Sequence, residues 1–230
     1  MFKDWKKFEI AWLIISTLII LILSIIWKDT FIGTIASITG VLCVVLVAKG
    51  KISSYAFGTI NAITYGYVAY SYGLYGESDL NWFIYLPTQL LGAALWIQNA
   101  KKKKELGIES VNGESVQAKN LTKVQWIYVL IGIAATYIIY SEFLHFRGSN
   151  LAGLDGFAVV LSIVAQILMM LRYAEQWIMW IIVNLITIAL WVTILIQSGG
   201  NDWTVLAMWI AFLINSVYGY INWRKISEVK

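Results

Sequence analysis

Residues 161–184 read LSIVAQILMMLRYAEQWIMWIIVN, and this stretch decides the fold. An apolar run breaks at Arg172-Tyr-Ala-Glu175 and resumes at once with Gln176 and Trp177. Followed outward, each run reaches about 20 residues, enough for a helix to cross the hydrocarbon core of a bilayer. Two such runs around a short polar turn read as a transmembrane helical hairpin. The same pattern recurs along the chain, with spans expected at roughly 9–27, 32–48, 52–72, 81–99, 124–141, 154–171, 176–197 and 203–223. The runs are too long for barrel strands, and only a helix satisfies its own backbone in lipid. Composition agrees. Of 230 residues, 60% are hydrophobic and 13% charged, and mean hydropathy is +0.72. Soluble domains carry about 25% charge, and disorder needs low hydrophobicity. The expected class is an all-α polytopic membrane protein. The first span is too long for the apolar core of a cleavable signal, and no small-x-small cleavage site leading into a soluble domain follows it.

Charge collects at the breaks. With the N-terminus inside, fifteen of the seventeen Lys and Arg fall on inside segments, leaving only Lys28 and Arg147 outside. By the positive-inside rule both termini are expected on the cytoplasmic side of the membrane. The net charge of +4 follows from that rule and implies no nucleic-acid partner. The long polar segment 101–123 reads as a solvated basic loop, the one mobile-looking linker inside the chain. The expected organisation is a peripheral N-terminal helix (1–29), a three-helix bundle (30–100), the basic loop (101–123), a linker helix with an outer loop containing His145 (124–150), a second three-helix bundle (151–225) and a cytoplasmic tail (226–230). A faint internal repeat supports it. At an offset of 123, Asn61 falls on Asn184 and Phe57 on Trp180; at 127, Gly92-x-x-x-Trp96 falls on Gly219-x-x-x-Trp223. Both halves then run in the same direction, and an odd linker span restores it between them, as in parallel-repeat transporters.

Several chemistries are excluded. The single Cys43 allows no internal disulfide, and the single His145 gives poor prospects for a zinc site or a Ser/His triad. No Walker loop is present, so the chain consumes no ATP, and no cofactor is expected. Glu9, Asp155, Arg172 and Glu175 lie near span ends, which argues against an intramembrane proton relay. The span interiors instead carry neutral polar groups among aromatics. Trp177, Trp180, Asn184 and Trp191 share a helical face. Asn61 and Tyr65 in span three, Thr88 and Gln89 in span four, Gln166 in span six, and Asn215, Tyr218 and Asn222 in span eight complete the set. An amide facing lipid is costly, so these groups face one another or a wet chamber.

Each has a plainer reading. Trp82, Trp177, Trp203 and Trp223 suit an interfacial belt, amides glue helices, and Gly92, Gly132 and Gly219 permit close helix approach. Pro87 kinks span four, and Cys43 packs as a small hydrophobe. The functional reading is a chamber of indole, phenol and carboxamide groups. Aromatic faces suit a flat ring, a cationic one especially, and amides suit ribose hydroxyls and a carboxamide.

The quoted stretch closely resembles the second-half signature of the PnuC nicotinamide riboside transporters, above all in Trp177-x-x-Trp180-x-x-x-Asn184 after Arg172-Tyr-x-Glu175. Gly33 to Gly66, with Lys51-Ile-Ser-Ser-Tyr55 and Gly58-Thr-Ile-Asn61, resembles the first-half signature. Gln89–Trp96 and Gly219–Trp223 agree as well, so the resemblance spans about 32–99 and 153–225. It implies a SWEET-like 3+1+3 fold of parallel three-helix bundles, with the first span an additional helix outside the transport core. It further implies uptake of nicotinamide riboside by facilitated diffusion and alternating access, trapping of the riboside by a cytoplasmic riboside kinase, and a homotrimer in the bilayer; the chain is no enzyme. Related carriers take thiamine or another heteroaromatic vitamin, which is the alternative substrate. The contact residues expected are Trp180 and Asn184, then Trp177 as a cytoplasmic-side lid, with Asn61, Tyr65, Gln89, Thr88, Asn215 and Tyr218.

Overall fold

In a computed structural model, which describes residues 5–110, 113–146, 152–199 and 202–228, the chain is helical with short connections. The side chains of Leu144, of residues 152–155 and of Ser198 are not among those described. Lys3, Arg147 and Lys230 of the charge count, and the Asp155 side chain, therefore lie outside the described residues. The helices are α1 (Lys7–Trp27), α2 (Phe31–Ala48), α3 (Ser54–Ser71), α4 (Tyr75–Asp79), α5 (Leu86–Glu105), α6 (Lys123–Phe146), α7 (Ala152–Met170), α8 (Gln176–Ser198) and α9 (Trp203–Ser227).

Helices stand at all eight expected span positions. Six of them are long and apolar enough to cross a membrane by length and composition. The other two are α3, rich in Tyr and Thr and carrying Asn61, and α7, whose apolar stretch is only Gly156–Met170. α1 and α6 present mostly exposed faces of Ile and Leu, such as Ile25 and Ile139, that suit lipid rather than water. Span four differs from expectation in its interior. α4 runs through a π-helical segment, Leu80–Tyr85, directly into α5, a continuous rod of 31 residues. The wide turn ends at Leu86, next to Pro87, whose ring nitrogen has no proton to donate.

α2 and α9 cap each other at the end expected to face outward. Asp202 Oδ1 accepts from the Thr30 hydroxyl (2.7 Å), and Tyr72 donates to Asp202 Oδ2 (2.9 Å). In return Asp29 Oδ2 accepts from the Thr204 backbone N–H (2.8 Å) and from its hydroxyl. Each carboxylate thus sits at the N-terminus of the other's helix, where backbone N–H groups lack partners. Burial raises the Asp29 pKa, the Thr204 bonds work against that, and the nearby Asp202 charge adds to it. At the opposite end Asn222 donates to the Ala48 carbonyl (2.9 Å) and Asn215 to that of Val44 (2.9 Å).

The packing shows paired contacts at fixed offsets. The Trp96 indole donates to the Met169 carbonyl (3.2 Å), and the Trp223 indole to that of Val47 (2.9 Å). The two donors are 127 residues apart and the two acceptors 122. Tyr55 lies against Gly92 as Trp177 lies against Gly219. The turns after α2 and α7 both hold a left-handed residue, Gly50 (φ +68°) and Arg172 (φ +65°). Matching Tyr55 to Trp177 gives an offset of 122, one residue short of the 123 read from Asn61 and Asn184. Register follows which ring fills the glycine gap, and the amides do not report that.

Three further expectations are corrected. Segment 101–123 is not a loosely solvated loop over its described residues. α5 carries the four lysines to Glu105, Lys103 pairs with Glu114 (2.8 Å) out of solvent, and Val116 and Ala118 are buried. The Ser115 N–H donates to Gly50 O (2.9 Å) and the Lys119 N–H to Arg172 O (2.9 Å), so the segment straps both turns together. Burial lowers the Arg172 pKa. His145 lies in the last turn of α6, not in a loop. Gly132 meets no neighbour within 4 Å, so it mediates no close helix approach.

Candidate functional site

α2, α3, α5, α7, α8, α9 and the π-helical segment surround one cavity, which encloses about 760 Å³ of atom-free space including its mouth. α2 and α7 also contribute to the wall, whereas the nine expected contact residues all lie on spans three, four, seven and eight. From α2 come Gly40, Cys43, Val44 and Val47; from α3, Gly58, Asn61, Ala62 and Tyr65. The π segment adds Asn81 and Tyr85, and α5 adds Gln89. The far side is Gln166 and Met169 of α7, then Trp177, Trp180 and Asn184 of α8. α9 closes it with Met208, Trp209, Phe212 and Ser216. No Asp, Glu, Lys, Arg or His is among these residues.

Local packing sets each polar group. Asn184 donates to the Ser216 hydroxyl (2.9 Å), which donates to Phe212 O (2.7 Å). Asn61 donates to the Ala36 carbonyl (2.8 Å). Tyr65 accepts from the Trp191 indole (2.9 Å) and donates to Glu77 Oε2 (3.3 Å), so one carboxylate stands a hydroxyl away from the wall. Gln89 lies along Gly58, where a Cβ would come within 2.6 Å of its Oε1. That Oε1 and the Trp177 indole nitrogen are buried without hydrogen-bond partners among the described residues. A buried polar atom left unpaired costs ~1–3 kcal/mol, which a ligand that pairs it recovers. The rings are steeply inclined to one another: Tyr65 and Trp209 at 5.8 Å, Tyr85 and Trp180 at 6.2 Å, Trp209 and Phe212 at 5.2 Å, all edge-on.

The end near the strap is closed by four rings in sequence. Tyr55 meets Trp96 edge-on (5.1 Å), Trp96 meets Trp223 (5.8 Å), and Trp223 meets Trp177 edge-on (6.2 Å). All four are buried, and Gly92 and Gly219 make the room behind Tyr55 and Trp177. Trp223 and Trp177 are therefore not belt residues. Their neighbours are other rings, a feature that position along a span does not reveal.

Of the nine expected contact residues, Trp177, Trp180, Asn184, Asn61, Tyr65 and Gln89 line the cavity. Thr88 instead accepts from Gln166 (2.9 Å), Asn215 donates through Nδ2 to Val44 O and keeps a buried Oδ1 with no partner among the described residues, and Tyr218 donates to Glu9; none of the three lines the cavity. Trp191 supports Tyr65 from behind and does not face the cavity. Met208, Phe212, Trp209, Ser216, Tyr85 and Asn81 were among those missed. Met208 and Phe212 carry no polar signal that sets them apart from packing residues.

A family model described as nicotinamide mononucleotide transporter matches residues 30–225. A Neisseria mucosa protein named nicotinamide riboside transporter PnuC is 45% identical over 226 residues, covering 98% of this chain and 84% of that one. A Haemophilus influenzae protein of the same name is 38% identical over 97% of this chain and 92% of its own length. A solved structure titled as the crystal structure of the vitamin B3 transporter PnuC superposes with a TM-score of 0.88 at 42% identity, covering 97% of this chain and 93% of that one. The chain belongs to the PnuC, or nicotinamide mononucleotide transporter, family, whose members are membrane transporters and not enzymes.

Proposed function

We propose that this chain carries nicotinamide riboside across the bacterial inner membrane by facilitated diffusion and alternating access. The carrying observation is the chemistry of the cavity wall: rings and carboxamides, with an open acceptor at Gln89 and an open donor at Trp177. A pyridinium ring over an indole gains ~0.5–2 kcal/mol when desolvated. The nicotinamide amide and the ribose hydroxyls match the open acceptor and donor. The mononucleotide named in the family description carries a phosphate as well. No Lys or Arg lines the cavity to balance it, and burying an unpaired anion is costly. The riboside is therefore the favoured cargo. Facilitated diffusion draws on no proton gradient, which a wall without carboxylates suits, and a cytoplasmic riboside kinase retains the product as a phosphorylated species.

The proposed architecture is eight spans in a SWEET-like 3+1+3 plan: bundles at 30–100 and 151–225 joined by α6, with α1 outside the core. The equivalent contacts of Trp96 with Met169 and Trp223 with Val47, and of Tyr55 with Gly92 and Trp177 with Gly219, support two parallel bundles. The charge count supports cytoplasmic termini, and the resemblance supports a homotrimer, checked by native mass spectrometry. Titration calorimetry on purified protein tests the cargo against nicotinamide mononucleotide, thiamine and riboflavin. Tight binding of the riboside alone supports this reading, and preference for thiamine or the mononucleotide overturns it.

A further inference from the structure

α1 lies outside the matched segment, which begins at residue 30, and it is mostly exposed, yet its first turn is tied firmly inward. Glu9 is 2% exposed and Lys49 1%, and Lys49 Nζ lies 2.6 Å from Glu9 Oε2. Tyr218 donates to Glu9 Oε1, and the Lys6 N–H donates to Oε2 (2.7 Å). Phe8 packs on Tyr218 (5.6 Å), and Lys49 also stands over the Trp5 ring (5.9 Å). A buried pair of this kind costs much desolvation and holds only with good geometry and further hydrogen bonds, both of which are present.

The two partners of Glu9 are not arbitrary. Lys49 precedes Gly50, the left-handed turn residue whose carbonyl is bound by the strap at Ser115. Tyr218 precedes Gly219, the surface against which Trp177 rests. One carboxylate therefore reaches both the turn under the four-ring closure and the backing of its last ring. We propose that Glu9 is a positioning residue of the inner gate: α1 is a latch that, through Lys49 and Tyr218, holds the cytoplasmic end of the cavity closed and so sets the inward-open population. This rests on the transport reading above and assigns the first helix, expected to be a bystander, a part in it. An element shifts such an equilibrium only by the interaction it loses on opening.

Cys43 is the single cysteine of the chain and lines the cavity, so it reports gate opening directly. The experiment measures Cys43 modification by a membrane-impermeant methanethiosulfonate in right-side-out and inside-out vesicles of the full chain. Glu9→Gln removes the charge facing Lys49 and leaves one amide oxygen, an acceptor for either Tyr218 or the Lys6 N–H but not both. Tyr218→Phe removes the other tie and keeps the ring on Phe8. Each variant is expected to speed labelling from the cytoplasmic face, Glu9→Gln about tenfold (~1.4 kcal/mol of population shift), without speeding it from outside. Unchanged labelling in both variants, or an equal rise from both faces, overturns the proposal. Protection of wild-type Cys43 by nicotinamide riboside is read separately. If protection fails while the one-sided rise persists, the cargo assignment falls and the latch stands.

Discussion

Gly219→Ala isolates one packing relation of the site. A Cβ at this position would lie 2.6–2.7 Å from three atoms of the Trp177 indole, Cε2, Cζ2 and Cδ2. Carbon atoms rest at ~3.5–4.0 Å, so the ring must retreat by about 1 Å. It cannot retreat toward Trp223, which is fixed by its bond to Val47 O and by Trp96. The open direction is the cavity that Trp177 lines. Overpacking costs ~1–3 kcal/mol, and where that cost falls on the ligand-filled state it corresponds to a ~5–150-fold loss of affinity. Titration calorimetry with nicotinamide riboside measures it, with thermal unfolding in parallel. Trp177→Phe in the Gly219→Ala background recovers part of the loss, because the smaller ring leaves room for the methyl. Gly132→Ala is the control: its Cβ meets nothing within 4 Å, so binding is unchanged and the helix gains up to ~1 kcal/mol. Wild-type affinity and melting temperature in Gly219→Ala would refute the stated placement of Trp177.

Trp180→Ala and Asn184→Ala each weaken riboside binding at least about tenfold, the scale of one lost ring contact or one buried amide bond, while size-exclusion profiles stay those of wild type; calorimetry on both variants checks this. Lys103→Met strands Glu114 without its buried cation and lowers stability by ~3–5 kcal/mol, read as a fall in melting temperature that Lys103→Met with Glu114→Leu largely reverses. Asp29 has a raised pKa, so the folded state holds its proton more tightly than the unfolded state does. Its contribution is therefore full below the ordinary carboxylate range and is lost as pH rises through the raised value. Asp29→Asn keeps an acceptor for Thr204 and removes repulsion with Asp202, so it raises the melting temperature at pH 7, a gain that disappears in acid.

The spans were legible because lipid imposes length and apolarity on any helix that crosses it, and helix ends fell within a few residues of expectation except around α4 and α5. There the π-helical segment packs on α3 and α7, and the extension through Lys101–Lys104 is held by Lys103 at Ser110 and Glu114; no local pattern encodes either. Six cavity residues were found because amides and clustered rings are conspicuous in an apolar helix. Met208, Phe212 and Tyr85 were missed because sequence does not show which way a ring or thioether points. Thr88, Asn215 and Tyr218 were misassigned for the complementary reason: a polar side chain in a span bonds whatever is near, and here that is a neighbouring helix. The ties of the strap to the two turns, at Ser115 and Lys119, are backbone bonds, which a reading of side-chain types does not show.

If the neutral chamber holds the riboside, a crystal structure grown with saturating nicotinamide riboside will show ligand density between Trp180 and Asn184 on one side and Asn61 and Gln89 on the other, with the Gln89 Oε1 bonded. Density at any other place, with this chamber empty or filled only by water, would contradict it.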